Sequence, residues 1–175
     1  TQTVGHGLSS APDWLMVKRL DSTGSWFVYH SSNTSNPETD YLRLNSANAT
    51  ADDATIWGDT APTSSVFSVG SAFNSGEELS FYAWTATAGV SAFGSYTGNG
   101  NSGASGPSIT GLGFEPGLVI IKNTSTGSNG WVMIDNYRDA TETDKYHRVL
   151  ANTSTAEVTD SSTIAKLEFT SDGFD

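Results

Sequence analysis

The three histidines of the chain are the first side chains to consider for metal or acid–base chemistry. His6, His30 and His147 lie far apart in the sequence. No pair has the short spacing of a zinc motif such as His-Glu-x-x-His. A metal site built from them would require the fold to gather scattered residues. The sequence therefore predicts surface or turn histidines and no metal site.

Carboxylates are concentrated in two stretches, which are the next candidates for chemistry. The groups are Asp52, Asp53 and Asp59, and Asp135, Asp139, Glu142 and Asp144. Neither has the alternating oxygen ligands and the glycine of a Ca²⁺ loop. Glycosidases require two facing carboxyl groups about 5 to 10 Å apart, and no motif fixes such a pair here. We therefore expect solvated loops, Arg138 paired with Asp135 or Asp139, no catalytic residue and no cofactor.

Five tryptophans and six tyrosines raise the question of sugar binding, because such rings combine a large apolar surface with a polar group. Trp57 is the best candidate for an exposed ring, since it stands in a polar loop beside acidic residues, and a place in the core is the alternative. Tyr96, just before a Gly-Asn-Gly turn, is a second candidate. The candidate ligand-binding residues are Trp57, Asp59, Asp53 and Tyr96. The other tryptophans are expected to be core anchors.

Similar apolar segments recur in the same order about a hundred residues apart, which indicates an internal repeat. Residues 14–18 and 118–122 are both apolar runs that end in lysine, and residues 26–29 and 131–134 both begin with tryptophan. Further expected equivalences are 41–45 with 146–149, and 66–73 with 166–174. This period equals a small domain, so we expect two tandem units, at 1–100 and 101–175, with the second truncated at its C-terminal end.

Short segments rich in β-branched and aromatic residues, separated by turn signals, predict a chain of strands. The expected strands of the first unit are 14–20, 26–30, 41–45, 66–69, 79–85 and 90–96. Residues 79–84 have almost no polar interruption, which predicts a central strand buried on both faces. Residues 47–56 are expected to be loop, and 97–107 a connector. The predicted fold is all-β, with tandem antiparallel β-sandwich units of jelly-roll or lectin-like type and little or no helix.

Charge and composition exclude several classes of function. The chain of 175 residues has 8 basic and 19 acidic residues, and its formal charge of −11 repels nucleic acids and anionic membrane surfaces. It has no cysteine, so neither disulfides nor thiol chemistry contribute. No apolar segment is long enough to predict membrane insertion.

Four sequence features together carry a resemblance to a known family. They are Gly-Ser-Tyr-Thr-Gly-Asn-Gly at 94–100, the stretch from Trp57 through Ala-Pro-Thr-Ser-Ser-Val-Phe-Ser at 61–68, the Gly-Phe-x-Pro entry at 113–116, and Asp-x-x-Arg at 135–138. With these features the chain resembles the repeated β-sandwich module of tail-fibre and virion structural proteins of marine bacteriophages, especially those infecting cyanobacteria. The resemblance covers the whole chain.

The resemblance implies a non-enzymatic structural component of a phage appendage or surface fibre, acting by assembly. The implied partners are other copies of the chain in a homo-oligomer and other virion or fibre proteins, at the virion surface or outside the cell. One alternative is a module that binds a host receptor or surface glycan through the Trp57 loop. Another is a bacterial surface fibre or an accessory domain of a secreted hydrolase.

Overall fold

The computed structural model describes residues 1–73, 76–101, 105–138, 144, 145, 147–159 and 166–175. Within this part, all paired strands are antiparallel and one helix is a single turn long. The elements are β1 (Gln2–Gly5), β2 (Trp14–Arg19), β3 (Phe27–His30), β4 (Asp40–Arg43), β5 (Ala51–Asp52), α1 (Ala54–Trp57), β6 (Val66–Val69), β7 (Leu79–Trp84), β8 (Leu118–Lys122), β9 (Trp131–Asp135), β10 (Asp144–Lys145), β11 (Val149–Leu150), β12 (Leu167–Thr170) and β13 (Gly173–Phe174). The chain is all-β, as predicted.

A five-stranded sheet in the order β5-β4-β3-β2-β7 organises the first half. Its register places Trp14 of β2 opposite His30 of β3 and opposite Trp84 of β7. Because side chains alternate between the faces of a strand, Leu15 and Val17 point to one face and Trp14 and Met16 to the other. The sheet therefore has two different apolar faces.

The main core lies on the Leu15 face of this sheet. Strand β6 pairs with β1 in a separate two-stranded sheet, and its Phe67 and Val69 pack into the core together with α1. The buried residues are Leu15, Val17, Tyr29, Tyr41, Ile56, Trp57, Phe67, Val69 and Phe73. At Gly70, whose N–H donates to the Ile56 carbonyl at 2.7 Å, an added Cβ would lie 2.2 Å from the Thr55 carbonyl oxygen. Only glycine allows this close approach of α1 to the end of β6.

Two three-stranded sheets form the described second half, in the orders β11-β9-β8 and β10-β12-β13. Val119 of β8, Ile134 of β9 and Leu167 of β12 are buried together. The first of these sheets repeats the arrangement of β4-β3-β2, with β9 between its two partners. The second half therefore has a core of its own, while the sandwich form of the two units and their boundary near residue 100 stay predictions.

Several predicted strands are confirmed to within two residues, as β2, β3, β4, β6 and β7. The central position of β7 is wrong, because β7 is an edge strand with Phe81, Tyr82 and Trp84 exposed by 36%, 49% and 42%. The strand predicted at 90–96 is also wrong, since this region has only an isolated bridge at Ser91. Helix α1 and β5 form where loop was expected. Part of the predicted connector, 102–104, lies outside the described residues.

Candidate docking faces of the two halves

The side of the five-stranded sheet opposite the main core carries a cluster of apolar side chains that we call the first apolar face. Its members are Trp14, Met16, Val28, Leu42 and Leu44. Trp131, from β9 of the second half, packs on this face and is only 1% exposed. Its ring meets Trp14 edge to face at 5.5 Å, and its Nε1–H donates to the Arg43 carbonyl oxygen at 2.8 Å. One tryptophan of the second half thus covers an apolar face of the first.

Hydrogen bonds reinforce this contact between the halves. The Thr50 N–H donates to the Thr124 carbonyl oxygen at 3.0 Å. The Lys122 ammonium donates to the Ala47 carbonyl oxygen at 3.1 Å, and partial burial lowers the pKa of Lys122. Because hydrogen bonds are directional, these two bonds favour one orientation of the halves in addition to the apolar contact.

The two halves repeat the same hydrogen bonds around their tryptophans. The Trp26 N–H donates to Asn45 Oδ1 at 3.0 Å, and the Trp131 N–H donates to Asn152 Oδ1 at 2.8 Å. The carbonyl oxygens of these two tryptophans accept from the N–H groups of Leu44 and Ala151, respectively. Trp131 is therefore the structural equivalent of Trp26, as the repeat predicted.

The pairing expected for 41–45 with 146–149 is wrong by two residues. Leu42 lies opposite Val28 of β3, and Val149 lies opposite Met133 of β9. Since Met133 occupies the place of Val28, Val149 is equivalent to Leu42. Met133 and Val149 are two residues further apart in the sequence than Val28 and Leu42, and this difference accounts for the shift.

With this register, the second half has a face equivalent to the first apolar face. We call it the second apolar face, and its members are Leu118, Ile120, Met133, Val149 and Ala151. Leu118 and Ile120 are exposed by 49% and 43%. None of the buried clusters found among the described residues includes any member of this face. The two positions on β8 are thus open, whereas their equivalents on β2, Trp14 and Met16, are partly buried.

Trp57 does not occupy the exposed position considered for it. The ring is 2% exposed and meets Tyr29 edge to face at 6.1 Å, and its Nε1–H donates to the Asp40 carbonyl oxygen at 3.0 Å. The prediction that the Trp57 ring is exposed is therefore wrong, and the alternative that it lies in the core is confirmed. The helix turn of α1 explains the difference, because it directs Ile56 and Trp57 inward from a polar stretch.

The three other candidate ligand residues have separate surroundings. Asp53 caps α1, where its carboxylate accepts from the Thr55 hydroxyl at 2.6 Å and the Thr55 N–H at 2.9 Å, and these bonds lower the pKa of Asp53. Asp59 is exposed in a left-handed backbone conformation with φ of 49°. Tyr96 is 45% exposed, and partial burial raises its pKa. Among the described residues, no hydrogen bond or ring contact joins Tyr96 to Asp53 or Asp59.

Exposed aromatic rings occur instead along β7. Tyr82 and Trp84 lie two residues apart on one face, with ring centroids 6.2 Å apart and planes 16° from parallel. Trp26, which is half-buried, lies 6.2 Å from Tyr82 on the other side. These rings project from the side of the sheet that carries Trp14. The prediction that Trp84 is a core anchor is therefore wrong, because an apolar run does not show which strand will lie at the edge of a sheet.

The histidines and carboxylates form no metal centre in the part of the chain that the structure describes. The Nδ1 atom of His6 accepts a hydrogen bond from the Leu8 N–H, and its Nε2 atom lies 3.0 Å from the Thr63 carbonyl oxygen. The predicted pairing of Arg138 with Asp135 is present at 2.6 Å. Asp139, Glu142 and the side chain of Asp144 lie outside the described residues.

We expect His30 to make the stability of the protein depend on pH. Burial against Trp14 and Phe93 lowers its pKa, although Asp13 acts in the opposite direction, and its Nδ1 accepts from the Ser32 N–H at 3.0 Å. The unfolded state therefore binds a proton more readily than the folded state, and stability falls as the pH drops below about 6.5. We expect the thermal midpoint to fall between pH 7 and pH 5.

The matched comparison for this prediction is His30→Gln, which keeps a hydrogen-bonding side chain but does not titrate. Thermal unfolding of both proteins across this pH range measures the difference in slope. A slope equal in the two proteins would contradict the assignment to His30.

No helix in the described part of the chain is long and apolar enough to cross a membrane. Comparison with curated proteins finds no match, and comparison with solved structures also finds none. One protein family, with the description "Domain of unknown function (DUF7483)", matches residues 1–175. Because the match extends over the whole chain, the protein belongs to the DUF7483 family.

Proposed function

We propose that the chain is a non-enzymatic structural module of a phage virion appendage or surface fibre, and that it acts by assembly. The observation that carries this proposal is the burial of Trp131 in the first apolar face. Repeated units that bury a side chain in the preceding unit form a continuous body, in which each unit stabilises its neighbour. The resemblance to phage structural modules supports the particle setting.

Two further features favour assembly over catalysis. The second apolar face exposes Leu118 and Ile120, and the edge strand β7 exposes Phe81. Open edges and apolar patches of this kind mark sites of association in β proteins. The partners in this proposal are further copies of the chain and other virion or fibre proteins, at the particle surface.

The test is to locate the protein in particles released by the cells that produce it. Mass spectrometry of purified particles and labelling with an antibody against residues 1–175 are expected to place the chain on an appendage or on the particle surface. Electron cryomicroscopy of the same particles would then show copies packed by symmetry. Absence of the chain from purified particles would overturn the particle setting.

A second candidate function is binding of a host-surface glycan, and the exposed Tyr82–Trp84 pair favours it. Near-parallel rings of this kind offer an apolar surface to sugars, and they replace the Trp57 loop as the place to look. Retention on immobilised polysaccharides, lost in Trp84→Ala and kept in Tyr96→Phe, would support this function. Lack of retention on all host glycans offered would exclude it.

A further inference from the structure

We propose that Trp26 docks on the second apolar face of another copy of this chain, so that copies join head to tail. The inference rests on the proposed function and names its contact surfaces. Trp26 is the equivalent of Trp131, and the second apolar face is the equivalent of the face that Trp131 covers. The contact within one chain thus provides the pattern for the contact between chains.

Equivalent positions of the two apolar faces are occupied by apolar residues in both halves. On β8, Leu118 and Ile120 take the places of Trp14 and Met16 on β2. Met133 on β9 takes the place of Val28 on β3, and each of these residues lies at the centre of its face. Each member of the first apolar face therefore has an apolar equivalent in the second half, although Leu118 and Ile120 remain 49% and 43% exposed.

A unit can donate its tryptophan and receive another at the same time. Trp131 and Met133 are two residues apart on β9, so their side chains project to the same side of the sheet. Trp131 is buried against the first half while Leu118 and Ile120 of that sheet remain open. By the same geometry, Trp26 can reach a preceding copy while the first apolar face holds Trp131.

This contact is heterologous, because different surfaces of the two copies meet. Such contacts form open chains unless the rotation between copies closes a ring. The charge of −11 on each copy opposes association at low salt, and added salt screens that repulsion. We therefore expect self-association that strengthens with salt, as an apolar contact between acidic proteins requires.

Sedimentation velocity of the chain over a range of concentrations tests the proposal. Trp26→Ala and Ile120→Glu each remove one side of the contact, and either change is expected to weaken association by about 30-fold or more, as for a central interface tryptophan. Tyr96→Ala is the matched control, since it removes an exposed ring that, among the described residues, makes no ring contact with Trp26 or with the second apolar face. Circular dichroism and thermal unfolding show that each variant is folded.

A mixture of the two defective variants gives the sharpest result. Ile120→Glu retains a functional Trp26, and Trp26→Ala retains a functional second apolar face. The two variants together are therefore expected to form one-to-one complexes that grow no further, while each alone stays monomeric.

Three outcomes would overturn the proposal. They are a wild-type chain that stays monomeric at high salt, association that persists unchanged in both variants, and a mixture that does not recover complexes. None of them bears on whether the chain is present in particles, so failure of this contact is distinguishable from failure of the proposed function.

Discussion

Trp131→Ala is expected to lower the free energy of unfolding by about 3 to 5 kcal/mol, as is typical when a buried tryptophan is truncated. The substitution removes the ring that covers the first apolar face, and it leaves the Arg43 carbonyl oxygen without its indole donor. Trp131 is the member of this buried cluster that comes from the second half. Its loss therefore weakens the connection between the halves as well as the local packing.

Urea denaturation followed by fluorescence and by circular dichroism measures this effect. We expect the two signals to coincide in the wild-type protein and to separate in Trp131→Ala, because the halves then unfold in different steps. Trp131→Phe is the matched control, since it keeps an aromatic ring but loses the Nε1–H donor. The Arg43 carbonyl oxygen then lacks its indole donor, which costs about 1 to 3 kcal/mol, so the control should lose less stability than Trp131→Ala. Trp131→Ala with near wild-type stability would contradict the role of this residue.

Trp57→Ala is expected to cost about 3 to 5 kcal/mol as well, but within the main core. The ring is 2% exposed, contacts Tyr29 and donates to the Asp40 carbonyl oxygen. Because Trp57 ends α1, its removal also frees the helical turn from the core. The free energy of unfolding should fall, and the variant should still unfold in one cooperative transition, because the substitution affects only the main core.

Trp84→Ala provides the comparison for Trp57→Ala, because it removes the same side chain from a position that is 42% exposed. The urea midpoints of the two variants measure the difference, with the dependence of free energy on urea concentration unchanged. We expect Trp84→Ala to remain within about 1 kcal/mol of the wild type. Equal effects of the two substitutions would show that burial of the Trp57 ring does not stabilise the fold.

Local patterns were sufficient to predict most strands of the first half. The apolar run that ends at Lys18, and the polar turn before Phe27, predict two neighbouring antiparallel strands without tertiary information. The equivalence of Trp26 and Trp131 also follows from the sequence, because each begins an apolar run after a turn that contains glycine. These features depend on neighbours along the chain, which the sequence shows directly.

The errors concern features that depend on tertiary contacts. The apolar strand β7 has the composition of a central strand, but sheet order decides whether both of its faces are covered. Trp57 has polar neighbours in sequence, but its single helical turn directs it into the core. The docking faces could not be predicted for the same reason, since each combines residues from β-strands that are distant in sequence.

The shared sheet of Trp131 and the second apolar face has a consequence for how such proteins lengthen. A duplicated unit brings both a donor tryptophan and an acceptor face, so the new unit fits its predecessor without further substitutions. Gene duplication alone can then set the number of units, and selection can alter exposed loops without disturbing the contacts between units. In such a repeat protein, sequence variation would be confined to the surface outside the contacts between units.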